Sequence, residues 1–263
     1  MQDSKVFECI VHNDNKTVHK KEILVAERVL QLFVNNRVFS LMMQTPGQER
    51  YLVRGLLHSE GLKDFEFIKY RQIEKENSTT VRVKIDKNEI IDGNRHLMST
   101  SSCGLCGKKN IENLFNSITP VERSYEINIK QIQNAYKSIA ELQTLFNQTG
   151  GCHAASALGS NGQILCVFED IGRHNAVDKV IGYLLETKQL NTAMMLSVSS
   201  RISFEIIQKC SRAGIPVLTA ISAPSSLAVE MAKKAGITLA AFCRKDRVTL
   251  YSGFNGVIGN EKK

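Results

Sequence analysis

Tryptophan is absent from this 263-residue sequence, aromatic residues make up only 6% of it, and there are only four prolines. So few aromatic rings leave few platforms on which unpaired bases could stack, and we expect no nucleic-acid partner. No segment approaches the roughly 18–20 consecutive apolar residues of a membrane-spanning helix. The first residues also lack the charged and then apolar pattern of an export signal. These absences predict a cytoplasmic protein with no membrane partner.

Three common motifs of nucleotide-binding proteins and hydrolases are missing as well. There is no G-x-G-x-x-G after a predicted strand and no G-x-x-x-x-G-K-[S/T], so the usual modes of dinucleotide or nucleoside-triphosphate binding have no support. There is no G-x-S-x-G, the nucleophile elbow of α/β hydrolases. The chemistry of this chain must therefore depend on other residues.

The net charge and the cysteine count are the informative features of the composition. Lys and Arg number 34 against 26 for Asp and Glu, which gives a net charge of +8. Such an excess favours a polyanionic partner, for example a phosphate-bearing molecule. The seven cysteines are an odd number, and disulfides rarely persist in a reducing cytoplasm, so free thiols are expected.

The apolar pattern divides the chain into a small β-rich domain over residues 1–97, a mobile loop over 98–110 and an α/β domain over 111–263. In the first domain, Asn35-Asn36 predicts a tight turn between two strands, and Gly61 ends a predicted helix. The predicted strands cover residues 23–26, 29–34, 37–43, 65–73 and 79–85, and the predicted helix covers 48–59.

In the second domain, short apolar strands alternate with helical patterns. This alternation indicates crossover connections and a largely parallel sheet that helices cover on both faces, which is an α/β fold. The predicted strands cover 152–158, 164–168, 193–198, 217–221 and 237–242, with an edge strand at 248–251. The predicted helices cover 111–118, 129–146, 175–186, 203–213 and 226–235.

The sharpest chemical feature is the pair Cys103-Gly-Leu-Cys106. Two thiols at this spacing can share a metal, form a disulfide or carry sulfur as a persulfide. Lys108 and Lys109 follow directly, before the amino terminus of a predicted helix. Positive charge and a helix amino terminus both stabilise a thiolate, and the thiolate is the species that attacks a disulfide or persulfide sulfur. The local residues therefore favour a reactive site that handles sulfur.

Three other interpretations of this pair stay open. A structural zinc site needs about four Cys or His ligands, and Cys9-x-x-His12 or Cys152-His153 would have to complete it. A thioredoxin-type pair is expected near a βαβ pattern, and Cys103 does not follow a strand that opens such a unit. In the third interpretation, the two cysteines are an incidental feature of a loop.

Three of the remaining cysteines are expected to be buried. Cys166 and Cys243 lie in or beside predicted strands, and Cys210 lies in a predicted helix. A buried free cysteine acts as a small hydrophobic side chain. Cys152 is ambiguous, because it lies in a polar, glycine-rich segment.

Polar and basic residues follow three successive strands, in segments 169–175, 197–203 and 222–226. In an open α/β sheet such turns meet at the carboxyl ends of the strands, where ligands bind, and helix amino termini there attract anions. Taken singly, these residues are more simply helix caps, surface charges or structural histidines, and Glu169 and Asp178 are more simply salt-bridge partners. Their concentration predicts a site for a ligand with several phosphates. The candidate binding residues are Gly150, Gly151, His153, Arg173, His174, Ser200, Arg201, Ser222, Phe242, Cys243, Arg244, Lys245, Asp246 and Arg247.

Several of these segments together resemble the FdhD family of sulfur carrier proteins required for formate dehydrogenase activity. The resemblance runs from about Glu22 to Tyr251, and its longest and most specific segment is Glu169–Lys179. The other matching segments are Ser101–Gly107, Thr149–Ala155, Ser203–Glu205, Ser222–Pro224 and Leu227–Val229.

The resemblance implies a function that residue spacing does not reveal. FdhD proteins take sulfur from a cysteine desulfurase as a persulfide. They pass it to the molybdenum or tungsten of the bis-molybdopterin guanine dinucleotide cofactor before that cofactor enters formate dehydrogenase. By motif, Cys103 would carry the persulfide as a catalytic residue, Cys106 would be its catalytic partner, and Phe242–Arg247 would bind the cofactor as cargo. The resemblance also implies a homodimer, no intrinsic metal, and a cytidine-deaminase-like mixed sheet in the larger domain.

Deaminase chemistry itself has no support in the residues. Zinc deaminases use H-x-E and, further along the chain, P-C-x-x-C. Here His153-Ala-Ala155 lacks the Glu, and the only C-x-x-C lies upstream. The alternatives to sulfur transfer are a nucleotide-modifying enzyme of deaminase ancestry, a non-catalytic chaperone that escorts the cofactor, and a zinc-stapled nucleic-acid-binding module.

Overall fold

The computed structural model describes residues 3–14, 16–62, 64–86, 118–123, 125–244 and 247–258. The predicted loop over 98–110, which carries Cys103 and Cys106, lies outside these residues, and so does nearly all of the predicted helix over 111–118. The predicted domain boundary at residue 97 lies outside them too.

The described chain begins with a long hairpin, of which the apolar pattern predicts only the end, at residues 23–26. Strand β1 (Ser4–Asn13) pairs antiparallel with β2 (Lys16–Val25) along its whole length, as a separate two-stranded sheet. Large apolar side chains are exposed on it, among them Phe7 and Ile10 at 51% each. Since the hairpin has no buried face to impose an alternation of apolar and polar residues, its sequence lacks the signal on which strand prediction depends.

A four-stranded sheet follows, covered on one face by a helix. Its strands are β3 (Arg28–Val34), β4 (Arg37–Gln44), β5 (Phe67–Glu74) and β6 (Ser78–Ile85), in the order β4-β3-β6-β5, and the helix is α1 (Glu49–Ser59). Asn35 and Asn36 have φ angles of 48° and 66°. These left-handed values are those of a type I′ turn, so the predicted turn is confirmed. Leu32 and Val81 of the sheet pack against Leu52 of α1 in a buried core.

The rest of the described chain alternates helices and strands. The helices are α2 (Ile129–Leu142), α3 (Thr144–Thr149), α4 (Arg173–Glu186), α5 (Phe204–Arg212) and α6 (Ser226–Ala235). The strands are β7 (Ile127–Asn128), β8 (His153–Leu158), β9 (Ile164–Asp170), β10 (Met195–Val198), β11 (Val217–Ala220), β12 (Thr238–Arg244), β13 (Arg247–Ser252) and β14 (Val257–Ile258). Among the helices that the structure describes, none is long and apolar enough to cross a membrane.

Strands β8 to β13 form a six-stranded sheet in the order β13-β12-β11-β10-β8-β9. Neighbours β10, β11 and β12 are parallel, as crossover connections predict. Strand β8 is antiparallel to both of its neighbours, and β13 is antiparallel to β12. The sheet is therefore mixed, and the expectation of a largely parallel sheet is wrong at β8. The reason is that a tight turn at Gly162, with φ of 76°, joins β8 to β9, and strands joined by so short a turn run antiparallel.

Helices cover both faces of this sheet, which confirms the α/β class with a mixed sheet. On one face, Leu196 of β10 and Leu218 of β11 share a buried core with Ile181 of α4. On the other face, Met195 shares a core with Ile132 of α2. Adjacent residues of β10 thus point into different cores, as the two-residue period of a doubly covered strand requires.

The single helix predicted over residues 129–146 is wrong, because α2 and α3 are separated at Gln143, whose ψ of 66° is not helical. The carboxylate of Glu169 accepts hydrogen bonds from the backbone N–H groups of Leu145 at 2.9 Å and Phe146 at 2.8 Å. These bonds satisfy donors at the start of α3 that a helix leaves unpaired. Since Glu169 belongs to the distant strand β9, the local pattern does not reveal the break.

Helices α1 and α4 join the two halves of the fold through backbones in direct contact. A Cβ atom added to Gly55 would lie 1.9 Å from the carbonyl oxygen of Asp178. A Cβ atom added to Gly182 would lie 1.8 Å from the carbonyl oxygen of Tyr51. No L side chain fits at either distance, so these two glycines set how closely the helices approach.

Candidate functional site

The strand-to-helix junctions meet along one edge of the six-stranded sheet. The junction after β10 bonds to the start of β8 and to the junction after β11, and the end of β12 bonds to that same junction. The backbone N–H groups of Ser199, Ile202 and Phe242 donate to the carbonyls of Ala154, Ala223 and Ser222, at 2.9, 3.1 and 3.3 Å. Because β8 runs antiparallel to its neighbours, its first residue, His153, lies at this edge with the carboxyl ends of β9 to β12.

Most predicted binding residues that the structure describes lie on this edge, which we call the junction edge. His153, Ser200, Arg201, Ser222 and Phe242 lie on or beside the bonded junctions. The next helix, α4, begins after β9 with the predicted pair of Arg173 and His174. The fold thus brings together residues that are far apart in the sequence, while their binding roles stay predictions.

His153 is half-buried at the start of β8. Its burial lowers the pKa of the imidazole, and the positive charge of Arg173 and then of His174 lowers this pKa further. The imidazole of His153 is therefore neutral at pH 7. A neutral ring both donates and accepts hydrogen bonds, so it can contact a polar ligand at the junction edge.

His174 and Glu205 connect the first turns of α4 and α5. The Nε2 atom of His174 lies 2.9 Å from Oε2 of Glu205, and the two side chains are 22% and 15% exposed. This contact holds the imidazole of His174 in place at the junction edge. The sequence does not identify Glu205 as a site residue, because no local pattern links the two helices. Glu205 enters the sequence prediction only as part of Ser203–Glu205, one of the segments that resemble the family.

Four arginines give the junction edge a positive charge. Arg201, Arg244 and Arg247 are exposed, and Arg173 is half-buried. The guanidinium carbon of Arg247 lies 4.7 Å from the centre of the Phe242 ring. Guanidinium groups bind phosphate oxygens through paired, charge-assisted hydrogen bonds. The donor set therefore fits a ligand that carries phosphates.

Other predicted binding residues have roles in the backbone or the core. Gly150 ends α3 in a left-handed conformation, with φ of 64°. A Cβ atom on Gly151 would lie 2.9 Å from Cγ1 of Val25 in β2. The thiol of Cys243 is 2% exposed and packs in a core, so only its backbone could meet a ligand. Four further predicted residues lie outside the part of the chain that the structure describes: Cys103, Cys106, Lys245 and Asp246.

The most specific segment, Glu169–Lys179, supports the junction edge from inside. The Nζ atom of Lys179 lies 2.8 Å from Oδ2 of Asp170, and both side chains are fully buried. The same Nζ donates to the carbonyl of Thr45 at 3.1 Å and to that of Glu169 at 3.2 Å. A buried ion pair needs such additional hydrogen bonds to offset its loss of hydration.

The carboxylate of Asp170 collects further hydrogen bonds. It accepts from the backbone N–H of Thr45 at 3.2 Å, from that of Gly172 at 2.8 Å and from the side-chain amide of Asn175 at 3.0 Å. The amide of Asn175 also donates to the carbonyl of Met43 at 2.8 Å. These bonds fix the segment around residue 45 to the start of α4. Asp170, Asn175 and Lys179 therefore hold the fold together.

Asp178 is a structural ion-pair partner, as predicted for this residue when it is considered alone. The Nζ atom of Lys209 lies 2.6 Å from each oxygen of its carboxylate, and the hydroxyl of Ser59 donates to it at 2.7 Å. All three side chains are buried. This cluster joins α1, α4 and α5 next to the close contact at Gly55.

The described thiols inside the fold are poor nucleophiles. The thiol of Cys152 donates to Oε1 of Glu169 at 3.4 Å. Burial, and then the negative charge of Glu169, raise the pKa of Cys152 to about 12. Burial also raises the pKa of Cys166 and Cys243 to about 12 and raises that of Cys210. Because the reactive form of cysteine is the thiolate, these four thiols are inert at neutral pH.

The fold and the junction edge define a mixed α/β protein that presents arginines, histidines and backbone turns at one edge of its six-stranded sheet. The FdhD/NarQ family matches residues 25–258, and the chain belongs to this family. The predicted family is thereby confirmed.

Known proteins resemble the chain over most of its length. The sulfur carrier protein FdhD of Mycolicibacterium paratuberculosis is 38% identical over 252 residues, which cover 90% of this chain and 92% of that protein. The sulfur carrier protein FdhD of Thermoplasma acidophilum is 40% identical over 220 residues, which cover 81% and 77%. A crystal structure from Desulfotalea psychrophila, assigned as a formate dehydrogenase accessory protein, superposes with a TM-score of 0.79. It covers 98% of this chain and 100% of its own at 23% identity, which establishes the shared fold.

Proposed function

We propose that this chain is a cytoplasmic sulfur carrier that serves formate dehydrogenase. It takes sulfur from a cysteine desulfurase as a persulfide on Cys103. It passes that sulfur to the bis-molybdopterin guanine dinucleotide cofactor, which it binds as cargo. The names of the relatives support the sulfur-carrier role, and the pair Cys103-Gly-Leu-Cys106 supplies two thiols for it.

The observation that carries this proposal is the burial of the other thiols. Of the five cysteines that the structure describes, four are buried with a raised pKa. The fifth, Cys9, lies on the hairpin of β1 and β2. Cys103 and Cys106, with Lys108 and Lys109 beside them in the sequence, are therefore the best candidates for thiolates that exchange sulfur.

The proposed chemistry has two balanced steps. In the first, the thiolate of Cys103 attacks the outer sulfur of a persulfide on the desulfurase. A new S–S bond forms, the old one breaks, and the desulfurase cysteine leaves as a thiolate. In the second, once the cofactor is bound as cargo, the thiolate of Cys106 attacks the inner sulfur of the Cys103 persulfide and releases hydrosulfide to the cofactor. The two electrons that reduce the sulfur come from the formation of a Cys103–Cys106 disulfide.

The junction edge is the proposed position of the cargo. Its four arginines, Arg173, Arg201, Arg244 and Arg247, match the several phosphates of a bis-guanine-dinucleotide cofactor. His153 and the backbone turns add neutral hydrogen-bonding groups. The chain would work as a homodimer that meets a desulfurase and a formate dehydrogenase in turn.

Transfer of labelled sulfur tests this proposal. The chain is incubated with a cysteine desulfurase and ³⁵S-cysteine, and the label on the protein is counted under non-reducing conditions. We expect label on the wild type and on Cys9→Ser, and loss of nearly all label on Cys103→Ala. Equal labelling of the wild type and Cys103→Ala would end the persulfide assignment.

The rival functions give different results in the same preparation. Full formate dehydrogenase activity with the Cys103→Ala/Cys106→Ala variant would favour an escort chaperone. Ammonia release from a nucleobase by zinc-containing protein would favour an enzyme of deaminase ancestry.

A further inference from the structure

The sheet of β3 to β6 has an exposed face on the side away from α1. Strand register places Val38, Phe33, Arg82 and Arg71 in one row across its four strands. The adjacent row begins with Leu41 of β4. Val38 is 55% exposed and Leu41 is 36% exposed. Basic and apolar side chains thus share a flat surface.

The positively charged side chains on this face are placed so that their repulsion destabilises the sheet. Arg71 of β5 lies directly opposite Arg82 of β6, and Lys69 lies directly opposite Lys84. All four side chains are exposed. Like charges directly opposite one another destabilise a sheet. Among the residues that the structure describes, none of the four forms an ion pair that would relieve this repulsion.

The apolar part of the face determines what kind of anion suits it. The guanidinium carbon of Arg82 lies 3.9 Å from the centre of the Phe33 ring. This stacking holds the weakly hydrated guanidinium flat on the surface, where a carboxylate can pair with it. Arginine, aromatic and aliphatic side chains together are typical of protein–protein interfaces. We define the basic sheet face as Phe33, Val38, Leu41, Lys69, Arg71, Arg82 and Lys84.

We propose that the basic sheet face docks an acidic protein surface that also carries apolar side chains, on one of the proteins with which this chain exchanges sulfur. This inference rests on the proposed function, because a carrier must meet a donor and a recipient in turn. Complementary charge gives such short-lived complexes fast association.

Two other occupants fit this face less well. A second copy in a two-fold contact would place the same four cations against each other. Nucleic acid would gain little from Val38 and Leu41, and the ring of Phe33 is already covered by Arg82, so it offers no free stacking platform.

A charge-reversal pair with a matched control tests the proposal. The probes are a purified cysteine desulfurase and a purified formate dehydrogenase from the same organism, each titrated with full-length chain at two salt concentrations. For Arg71→Glu/Arg82→Glu we expect about tenfold weaker binding to one of the two proteins, with a smaller salt dependence than in the wild type. The control, Lys130→Glu/Lys137→Glu on α2, makes the same charge change at exposed positions and should keep its affinity.

The single variant Arg71→Glu separates docking from folding. It places a carboxylate opposite Arg82, so we expect its melting temperature to equal or exceed that of the wild type while its affinity falls. Unchanged affinity of the double variant for both proteins, or no binding of either protein to the wild type, would overturn the proposal. The proposal would also be overturned if the charge reversal weakened only the binding of RNA or of anionic lipid vesicles, titrated in the same way.

Sulfur loading in the absence of a partner protein distinguishes a failure of the docking proposal from a failure of the proposed function. Polysulfide is offered to each variant, and persulfide on Cys103 is read by mass spectrometry. If the wild type carries no persulfide here, the proposed function fails. If all variants load equally and the affinities are also equal, only the docking proposal fails.

Discussion

The side chains of Cys152, Cys166, Cys210 and Cys243 lie where a thiolate would lose its hydration. Each therefore keeps its proton to a pH well above that at which free cysteine ionises. Sequence position predicted this for three of them. It could not do so for Cys152, because the decisive partner, Glu169, is brought next to it by the pairing of β8 with β9.

Alkylation should distinguish these thiols at pH 8. In the folded protein we expect iodoacetamide to modify Cys103 and Cys106 at least about tenfold faster than the four buried cysteines, since thiolate fraction and access control the rate. Mass spectrometry of peptides at timed intervals measures each site. The same reaction in urea is the control, and all seven should then react alike. Rapid modification of Cys152 in the native state would contradict its assignment as an inert thiol.

The lowered pKa of His153 predicts a pH dependence of stability. A histidine whose pKa is lower in the folded state than in the unfolded state contributes stability above pH 6.5. That contribution is lost as the pH falls through the folded value, because protonation then favours the unfolded chain. We therefore expect His153→Gln to reduce the fall in unfolding temperature between pH 7 and pH 5.

The matched control is His19→Gln, since His19 is exposed on β2. It should leave the pH profile of the unfolding temperature unchanged. A profile of His153→Gln that coincides with the wild type would show that His153 ionises alike in both states.

Among the secondary-structure elements, those with a buried face were the ones that the sequence could predict. The alternating pattern of 79–85 became β6, and the helical pattern of 226–235 became α6. Most of the hairpin of β1 and β2 was missed because its apolar residues are exposed. The break between α2 and α3 was missed because the carboxylate that caps the start of α3 belongs to Glu169 of β9. Local patterns record which face is buried, and they do not record contacts with distant strands.

The contact of α1 with α4 predicts a large effect of a small substitution. In Gly182→Ala the new methyl group would overlap the carbonyl of Tyr51. Alanine favours a helix by about 1 kcal/mol over glycine, but forcing packed backbones apart costs about 1–3 kcal/mol and sometimes more. We expect a net loss in the free energy of unfolding, measured by urea denaturation.

Ser138→Ala on the exposed side of α2 is the control for Gly182→Ala and should leave the free energy of unfolding within about 0.5 kcal/mol. A Gly182→Ala protein that is as stable as the wild type would show that the helices can separate without cost.

At the scale of the whole molecule, the candidate site could be predicted only in outline. The rule that polar turns meet at the carboxyl ends of strands predicted which junctions lie together, and binding at the junction edge stays a prediction. The rule could not separate residues that face the edge, such as Arg201, from those that turn inward, such as Asp170 and Lys179. That division depends on the segment around Thr45, which approaches from the other half of the fold.

The buried pair of Asp170 and Lys179 should therefore couple the two halves. In Lys179→Met the carboxylate of Asp170 loses its buried cation, and removal of one partner of such a pair typically costs about 3–5 kcal/mol. We expect this loss in urea denaturation, with fluorescence and circular dichroism transitions that still coincide.

The double variant Asp170→Asn/Lys179→Met removes the uncompensated charge and should regain part of the stability. Loss of less than about 1 kcal/mol in Lys179→Met would mean that the pair is not needed to hold the halves together.

The contact at Gly55 and Gly182 also restricts how parts of related proteins can be exchanged. A chimera that takes one helix from one homologue and its neighbour from another would work only if both donors bring glycine to the crossing. One added methyl group would force the two helices apart. It would thereby displace the four arginines of the sheet edge from the segment around Thr45, to which that edge is bonded. Shuffling of modules between relatives is thus limited by a surface where two backbones touch, and not by the linker that joins them.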